Sequence, residues 1–244
     1  MDLSGPVADR ALFHVDNVYN IPNLRASAVC CKTAIGANTA FRGFGGPQGM
    51  AAIEHVMDHL AVACDVPIDA FRRTNMYKKG DSTHFGTIIG NNNISGKWNV
   101  PSMWNRLYEE LNYEGRRSET DKFNAENKWI KRGLCMLPTK FGIAFTAKYM
   151  NQGGALVHVY TDGTVLVSHG GTEMGQGLHT KVCQVAAQAF GIPVEDVYVN
   201  DSSTDKVANT IPTAASMSTD MYGMATLDAC RQILGRLDSV KAKL

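Results

Sequence analysis

The spacing of apolar residues changes about halfway along the chain, and this change restricts the possible folds more than any other feature. Over residues 48–64, apolar residues recur at the spacing of an amphipathic helix. Beyond Lys131, short apolar runs with alternating character predict strands instead. Helical and strand patterns in separate parts of one chain are typical of mixed layers. We therefore expect an α+β fold, with parts of two adjoining mixed α/β layered domains at 1–130 and 131–244.

Further elements follow from the same two periodicities. Besides the helix at 48–64, apolar spacing and capping residues predict helices at 67–77, 102–115, 118–129, 178–190 and 216–237. Alternation and β-branched residues predict strands at 28–33, 133–137, 155–160, 165–169 and 194–199. The sequence Thr-Asp-Gly-Thr at 161–164 predicts a hairpin turn, and 78–101, rich in Gly, Asn, Ser and Thr, predicts a surface excursion.

Charge and cysteine usage narrow the classes of partner and compartment. The chain has 24 basic and 23 acidic residues, so no strong field favours a nucleic acid or an anionic membrane as partner. No apolar run approaches the roughly 20 residues of a membrane span. We expect a soluble cytoplasmic protein, with a peroxisomal location as the alternative. Its six cysteines lack the spacing of metal ligands, which predicts reduced thiols, with Cys30 and Cys31 as small buried hydrophobes.

Three segments rich in glycine or other small residues lie where a helix is predicted to begin. The first segment, residues 41–47, has the sequence Phe-Arg-Gly-Phe-Gly-Gly-Pro, in which Phe41 and Phe44 alternate with Arg42 and three glycines. Glycines let the backbone approach a ligand closely, and the two phenyl rings would wall it. A Gly-Gly-Pro sequence before a helix is also an ordinary entry turn, and by itself the segment slightly favours that turn.

The second and third segments would place backbone N–H groups at helix starts. At 170–177, Gly-Gly-Thr-Glu-Met-Gly-Gln-Gly directly precedes a predicted helix, whose N-terminal dipole favours an anion. This segment matches neither a nucleoside-triphosphate loop nor a dinucleotide fingerprint. At 212–220, hydroxyl and small residues would cap a helix or hold a phosphate, and capping alone is the commoner role. Together they predict a large phosphorylated cofactor held mainly by main chain, with His179 packing or capping.

The same three segments carry a family resemblance. Residues 38–48, 170–180 and 212–220 resemble the molybdenum hydroxylases, and the likeness includes Arg-Ala-Leu-Phe-His at 10–14 and Pro-Thr-Lys-Phe-Gly at 138–142. It covers nearly the whole chain and departs mainly at 86–101. It implies that 1–130 is the C-terminal part of a first molybdenum-binding domain and that 131–244 is the N-terminal part of a second.

The resemblance also implies a reaction and its cofactors. The family hydroxylates an electron-poor carbon of a heterocycle or aldehyde at a molybdenum-molybdopterin centre, with the oxygen taken from water. Electrons then leave through 2Fe-2S clusters and FAD to NAD. For this chain the implied reaction is oxidation of hypoxanthine and xanthine to urate. The implied partners are a purine substrate, the remaining domains of a longer chain and a second subunit in a homodimer.

Site residues can be carried over by motif. Arg10 resembles the arginine that bonds the purine oxygen and stabilises developing negative charge, and Thr146 resembles its hydrogen-bonding companion. Phe44 and Phe145 resemble the aromatic pair that sandwiches the purine. Residues whose backbone would lie beside the molybdenum are Arg42 and Ala215. Residues that would contact the pterin or its phosphate are Met174, Gly175, Gln176, Thr213, Ser216 and Ser218.

Three features favour the xanthine dehydrogenases over the related aldehyde oxidases: Arg10, Gly46, and Pro-Thr-Ala-Ala at 212–215. Nothing here matches the general-base glutamate, which lies near the C-terminus of the family chain, and Glu173 belongs to the pterin loop instead. We therefore expect an internal fragment that is inactive and poorly soluble alone. The alternatives are a fragment of an aldehyde oxidase, or a non-catalytic scaffold that retains the fold.

Overall fold

A computed structural model describes residues 2–90 and 97–241, and the chain forms two compact units. Unit 1 is Met1–Gly142 and unit 2 is Ile143–Leu244. The family-domain boundary after residue 130 stays a prediction. Residues 91–96 of the expected surface excursion lie outside the described part. None of the described helices is both long and apolar enough to cross a membrane.

The described residues of unit 1 form the helices α1 (Ser4–Leu12), α2 (Gly46–Ala63), α3 (Ile68–Asn75), α4 (Val100–Glu110) and α5 (Tyr113–Glu126). Helices α2 to α5 confirm the predicted ones, with ends shifted by a few residues. Helix α1 was not predicted. The apolar core of unit 1 contains Val18, Tyr19, Ile53, Met57, Met76, Trp104, Tyr113 and Met136. This core lies between the helices and the extended segment that ends unit 1.

Helix α2 lies close against α1 because glycine occupies the contact. Gly45 caps α2 with a φ of +98°. A Cβ built there would stand 2.0 Å from the carbonyl oxygen of Val7. Both the left-handed backbone and the short distance therefore require glycine at Gly45. The result is that the turn at 41–45 meets the helix that carries Arg10.

The two strands predicted for unit 1 are wrong. Residues 28–33 and 133–137 form no strand in the described structure. Alternating apolar and polar residues suit a sheet, but a strand also needs a neighbouring strand for its backbone hydrogen bonds. No described strand pairs with either segment. Cys30 and Cys31 are consequently exposed, not buried as expected.

Side chains, not strands, anchor the segment that ends unit 1. Asn17 is buried, with its side-chain amide donating to the carbonyl of Pro138 at 2.9 Å and its oxygen accepting from the N–H of Lys140 at 3.1 Å. The Lys140 ammonium lies 2.7 Å from a carboxylate oxygen of buried Asp16. Residues 138–140 are thus held by residues that follow α1 in the chain.

Unit 2 contains a three-stranded sheet covered by two helices. Strands β1 (Ala155–Val159) and β2 (Val165–His169) form the predicted antiparallel hairpin, and β3 (Val197–Val199) pairs parallel to β2. Helix α6 (Leu178–Phe190) connects β2 to β3, and α7 (Ser218–Lys241) packs against α6. Its core contains Val157, Val165, Val167, Leu178, Val182, Ala186, Val197 and Tyr222. Helices with a small mixed sheet confirm the α+β prediction.

Candidate functional site

Arg10 lies in the last turn of α1 and is buried. Its guanidinium donates to the carbonyl of Gly142 at 2.9 Å and stands 5.6 Å from the centre of the Phe141 ring. Burial lowers the pKa of the guanidinium, but arginine stays charged because its normal pKa is far above neutrality. Unit 1 therefore holds a fixed, largely dehydrated positive charge.

His14 follows Arg10 by one helical turn and contacts the same segment. Its Nδ1 lies 2.7 Å from the carbonyl oxygen of Arg10, and its Nε2 accepts the N–H of Gly142 at 3.0 Å. Burial lowers the pKa of this imidazole. The family motif included His14 without a role, so its bonding to Gly142 emerges only from the structure.

The turn at 41–45 carries Phe44 and Arg42. Gly43, Phe44 and Gly45 all have positive φ, at +93°, +48° and +98°. The N–H of Phe44 donates to the carbonyl of Phe41, and that of Gly46 to Gly43. Phe44 is half-buried while Arg42 is exposed. Gly45 packs against the backbone of Val7 and Ala11, so the turn that carries Phe44 lies against the helix that carries Arg10.

In unit 2, Phe145 is held by a residue that the sequence did not single out. The side chain of Asn151 accepts the N–H of Phe145 at 2.9 Å and donates to its carbonyl at 3.0 Å. Phe145 is half-buried and Thr146 is exposed. The preceding residue, Ala144, donates its N–H to the carbonyl of Ala215 at 2.9 Å. Phe145 and the loop containing Ala215 are thus joined through one backbone hydrogen bond.

The glycine-rich segment before α6 was expected to offer its N–H groups to a ligand, but three N–H groups at this helix start are already bonded to a side chain of the segment. The carboxylate of Glu173 accepts the N–H groups of Gly175 and Gly177 at 2.9 Å and that of His179 at 3.0 Å. These three hydrogen bonds lower the pKa of Glu173 to about 2, and the bond from the N–H of His179 has the largest effect. The helix start is therefore capped by the chain's own anion, and a carboxylate of such low pKa is a poor general base.

The exposed loop at 172–177 is closed by its own side chains. Gln176 accepts the N–H of Met174 at 2.6 Å through its amide oxygen and donates to the carbonyl of Thr172 at 2.9 Å. The N–H of Thr172 donates to the Thr213 hydroxyl at 2.8 Å. This bond brings the two loops predicted for the cofactor together within unit 2. Met174 is 65% exposed, so its side chain is available to a ligand.

The loop at 213–218 has a constrained backbone. Ala215 and Ser216 have φ of +57° and +56°, a left-handed conformation that non-glycine residues rarely adopt. Helix α7 starts at Ser218, where the first N–H groups of a helix have no partner within the helix. Ser216 is exposed and Ser218 half-buried. Small side chains, hydroxyls and helix-start donors fit the phosphate of a pterin cofactor better here than at the start of α6.

His179 bonds a second histidine. Nε2 of His169 lies 3.1 Å from Nδ1 of His179, while Nδ1 of His169 accepts the N–H of Gly171. Burial lowers the pKa of His169 to about 4, so this ring is neutral near pH 7. No cluster of three or more metal-ligating side chains occurs among the described residues.

Comparison with known families gives matches over most of the chain. A model described as a molybdopterin cofactor-binding domain matches residues 106–244, and a second model with that description matches 1–76. The chain is 55% identical over 243 residues to a xanthine dehydrogenase/oxidase from Felis catus. It is 51% identical over 243 residues to xanthine dehydrogenase 1 from Arabidopsis thaliana.

These alignments cover 100% of this chain but only 18% of the cat protein and 17% of the plant protein. Among solved structures, an aldehyde oxidoreductase from Desulfovibrio desulfuricans superposes with a TM-score of 0.71 at 23% identity. That match covers 94% of this chain and 24% of the bacterial one, and supports the fold. The chain thus corresponds to a small part of each much longer relative.

Proposed function

This chain belongs to the family of molybdopterin cofactor-binding domains, and from that premise we propose that it forms the substrate- and cofactor-facing part of a xanthine dehydrogenase-type molybdenum hydroxylase. The observation that carries the proposal is the hydrogen bond between Ala144 and Ala215. It joins the aromatic residue assigned to the substrate, Phe145, to the loop assigned to the metal. A substrate ring and a redox centre must lie close together for a reaction to occur between them.

Molybdenum-molybdopterin is the cofactor that the family membership supports. As the resemblance implies, Met174, Gly175, Gln176, Ser216 and Ser218 would hold it. Arg42 and Ala215 are assigned to the metal through their backbones. When bound, the group supplies the redox chemistry that inserts an oxygen atom from water into a carbon–hydrogen bond. Thr213 contributes by tying the loop at 172 to the loop at 213.

The chain's own residues orient the substrate. We assign Arg10 to the carbonyl oxygen of a purine, where a buried guanidinium stabilises negative charge as it develops. Its bond to Gly142 sets the direction of the side chain. As the resemblance implies, we assign Phe44 and Phe145 to stacking with the purine ring and Thr146 to hydrogen bonding in substrate binding.

The full reaction belongs to a longer protein. We propose oxidation of hypoxanthine and xanthine to urate in the cytoplasm, with electrons passing to 2Fe-2S clusters, FAD and NAD in other domains, and a homodimer as the assembly. Support comes from the relatives, of which this chain spans 17% to 18%. Since no residue here matches the general-base glutamate, we expect the chain alone not to turn over xanthine with a dye acceptor.

Replacement of Arg10 tests the purine assignment. In the full-length enzyme, Arg10→Met should lower kcat/KM for xanthine by roughly 100-fold or more, because a charge-stabilising donor is lost. Turnover of an aldehyde, which has no equivalent oxygen to bond, should change far less. Arg25→Met, at an exposed arginine, is the control and should affect neither substrate. Equal losses for purine and aldehyde would speak against the purine assignment.

A further inference from the structure

His14 is a buried histidine, 2% exposed, whose two ring nitrogens both contact main-chain groups. One of these groups is the carbonyl of Arg10, and the other is the N–H of Gly142. Gly142 is also the residue whose carbonyl accepts the Arg10 guanidinium. The side chains of Arg10 and His14 therefore hold Gly142 by its carbonyl and its N–H respectively.

The bonds of His14 determine where its proton lies. A backbone N–H can only donate, so Nε2 must carry the lone pair that accepts from Gly142. The proton then sits on Nδ1 and is donated to the Arg10 carbonyl at 2.7 Å. The ring is neutral, and the Phe141 ring packs on it with centroids 4.8 Å apart. A second proton would break the bond to Gly142 and add a positive charge beside Arg10 and Lys140, with Asp16 as the nearby anion.

We propose that His14 is a positioning residue for Arg10. It holds the N–H of Gly142, the residue whose carbonyl Arg10 bonds, and thereby restrains the direction in which the guanidinium points toward its substrate. Electrostatic stabilisation of a transition state depends on donors held within a fraction of an ångström. A guanidinium bound to a mobile carbonyl would lose that precision. The inference rests on the proposed role of Arg10 and adds to it a residue that never touches the purine.

The unit is expected to survive loss of these bonds, because Asn17 also anchors the segment through Pro138 and Lys140. The test therefore uses His14→Phe in the full-length enzyme, since phenylalanine keeps the ring and removes both hydrogen bonds. We expect kcat/KM for xanthine to fall about tenfold, while that for an aldehyde stays within about twofold. His14→Gln, whose amide oxygen can reach the Nε2 position, should recover most of the loss.

A double variant separates positioning from general damage. If His14 acts through Arg10, adding His14→Phe to Arg10→Met should produce no further loss with xanthine. His59→Phe is the matched control, because the His59 ring bonds the carbonyl four residues earlier just as His14 does, but on an exposed face. It should leave both substrates unaffected. Should His14→Phe fail to fold, as judged by its melting temperature, His14→Asn replaces it in the same comparison.

The possible outcomes distinguish the inference from the proposed function. If Arg10→Met leaves xanthine turnover intact, the assignment of Arg10 fails and the inference fails with it. A different outcome is that Arg10→Met lowers xanthine turnover while His14→Phe lowers kcat/KM by the same factor in the wild-type and the Arg10→Met enzymes. In that case His14 is structural only, and the inference alone is overturned. Equal losses for xanthine and aldehyde in His14→Phe would also overturn it.

Discussion

At the scale of single residues, Asn151 holds the backbone of Phe145 by both its N–H and its carbonyl. We expect Asn151→Leu to destabilise unit 2 by about 1–3 kcal/mol, because both backbone groups lose their partner in a half-buried position. Urea unfolding followed by circular dichroism measures this loss.

Two variants make the Asn151 prediction specific. Asn151→Asp keeps the oxygen that accepts from Phe145 but removes the donor, so its loss should be intermediate. Gln152→Leu, at the exposed neighbour, should be close to neutral. An Asn151→Leu protein as stable as the wild type would show that these two bonds contribute nothing to the folded state.

The residues of the candidate site differ in how far sequence could identify them. The many glycines and small residues at 170–177 and 212–220 predict ligand-binding loops from composition alone. Phe44 and Phe145 have no such signal, because an aromatic side chain in an apolar pattern is usually a core residue, and only the family resemblance assigns them a role. Neither composition nor the resemblance assigns a role to Asn151 or His14, since the sequence does not show which backbone group a single polar side chain will bond.

At the scale of elements, the contact between α1 and α2 depends on Gly45. Gly45 and Gly80 have nearly the same φ, +98° and +95°, but a Cβ at Gly80 meets nothing within 4 Å. Replacing either by alanine should cost about 1 kcal/mol for the left-handed backbone. Gly45→Ala should cost about 2 kcal/mol more, because its Cβ would stand 2.0 Å from the Val7 oxygen and α1 must shift. Equal losses in urea unfolding would show that the helices accommodate the methyl group freely.

The cap of α6 predicts a pH dependence. The pKa of Glu173 falls from 4.5 to about 2 in the folded protein, so the ionised side chain stabilises the fold above pH 4.5. This contribution disappears as pH falls from about 4.5 to about 2, because the carboxylate is protonated in both states there. Glu173→Gln should therefore melt at a lower temperature than the wild type at pH 7, and the two melting temperatures should converge in acid.

Scanning calorimetry across this pH range measures the convergence. Glu195→Gln removes an exposed carboxylate elsewhere in unit 2 and serves as the control, with no such convergence expected. A constant difference between wild type and Glu173→Gln from pH 7 to pH 2 would mean that the three N–H groups do not depend on the charge of Glu173.

Helices and the hairpin were predictable because their signals are local. Apolar periodicity located α2, α6 and α7, and Thr-Asp-Gly-Thr at 161–164 located the turn between β1 and β2. The segments 28–33 and 133–137 have equally strand-like sequences but no strand in the described structure. Pairing is a property of two segments, and the residues of one segment do not show whether the other is present. Helix α1 was not predicted because Gly5 and Pro6 are usually signs of a turn. In the structure they lie in the first turn of the helix, where proline is tolerated.

At the scale of the whole molecule, large apolar side chains face solvent. Val29 and Phe41 are each 84% exposed and Trp129 is 86% exposed. Many other large apolar side chains among the described residues are exposed as well, and extensive apolar surface favours association in water. We expect the isolated chain to self-associate at micromolar concentration and to bind a hydrophobic dye. Size-exclusion chromatography with light scattering measures the association.

A substituted chain tests the cause of that association. The triple variant Val29→Thr, Phe41→Ser and Trp129→Gln should be more nearly monodisperse. The control replaces three exposed polar residues close by in the chain, Lys32→Thr, Asn38→Ser and Lys128→Gln, and should behave like the wild type. A wild-type chain that runs as a single monomer would contradict the prediction.

The loop at 172–177 has a consequence for how a ligand would bind. Glu173 and Gln176 bond the loop to itself, so its shape is set before any ligand arrives. A receptor that is already ordered loses little conformational entropy on association, and more of each contact then appears as affinity. Variants that open these internal bonds should therefore weaken binding mainly through entropy, even where every contacting residue is unchanged.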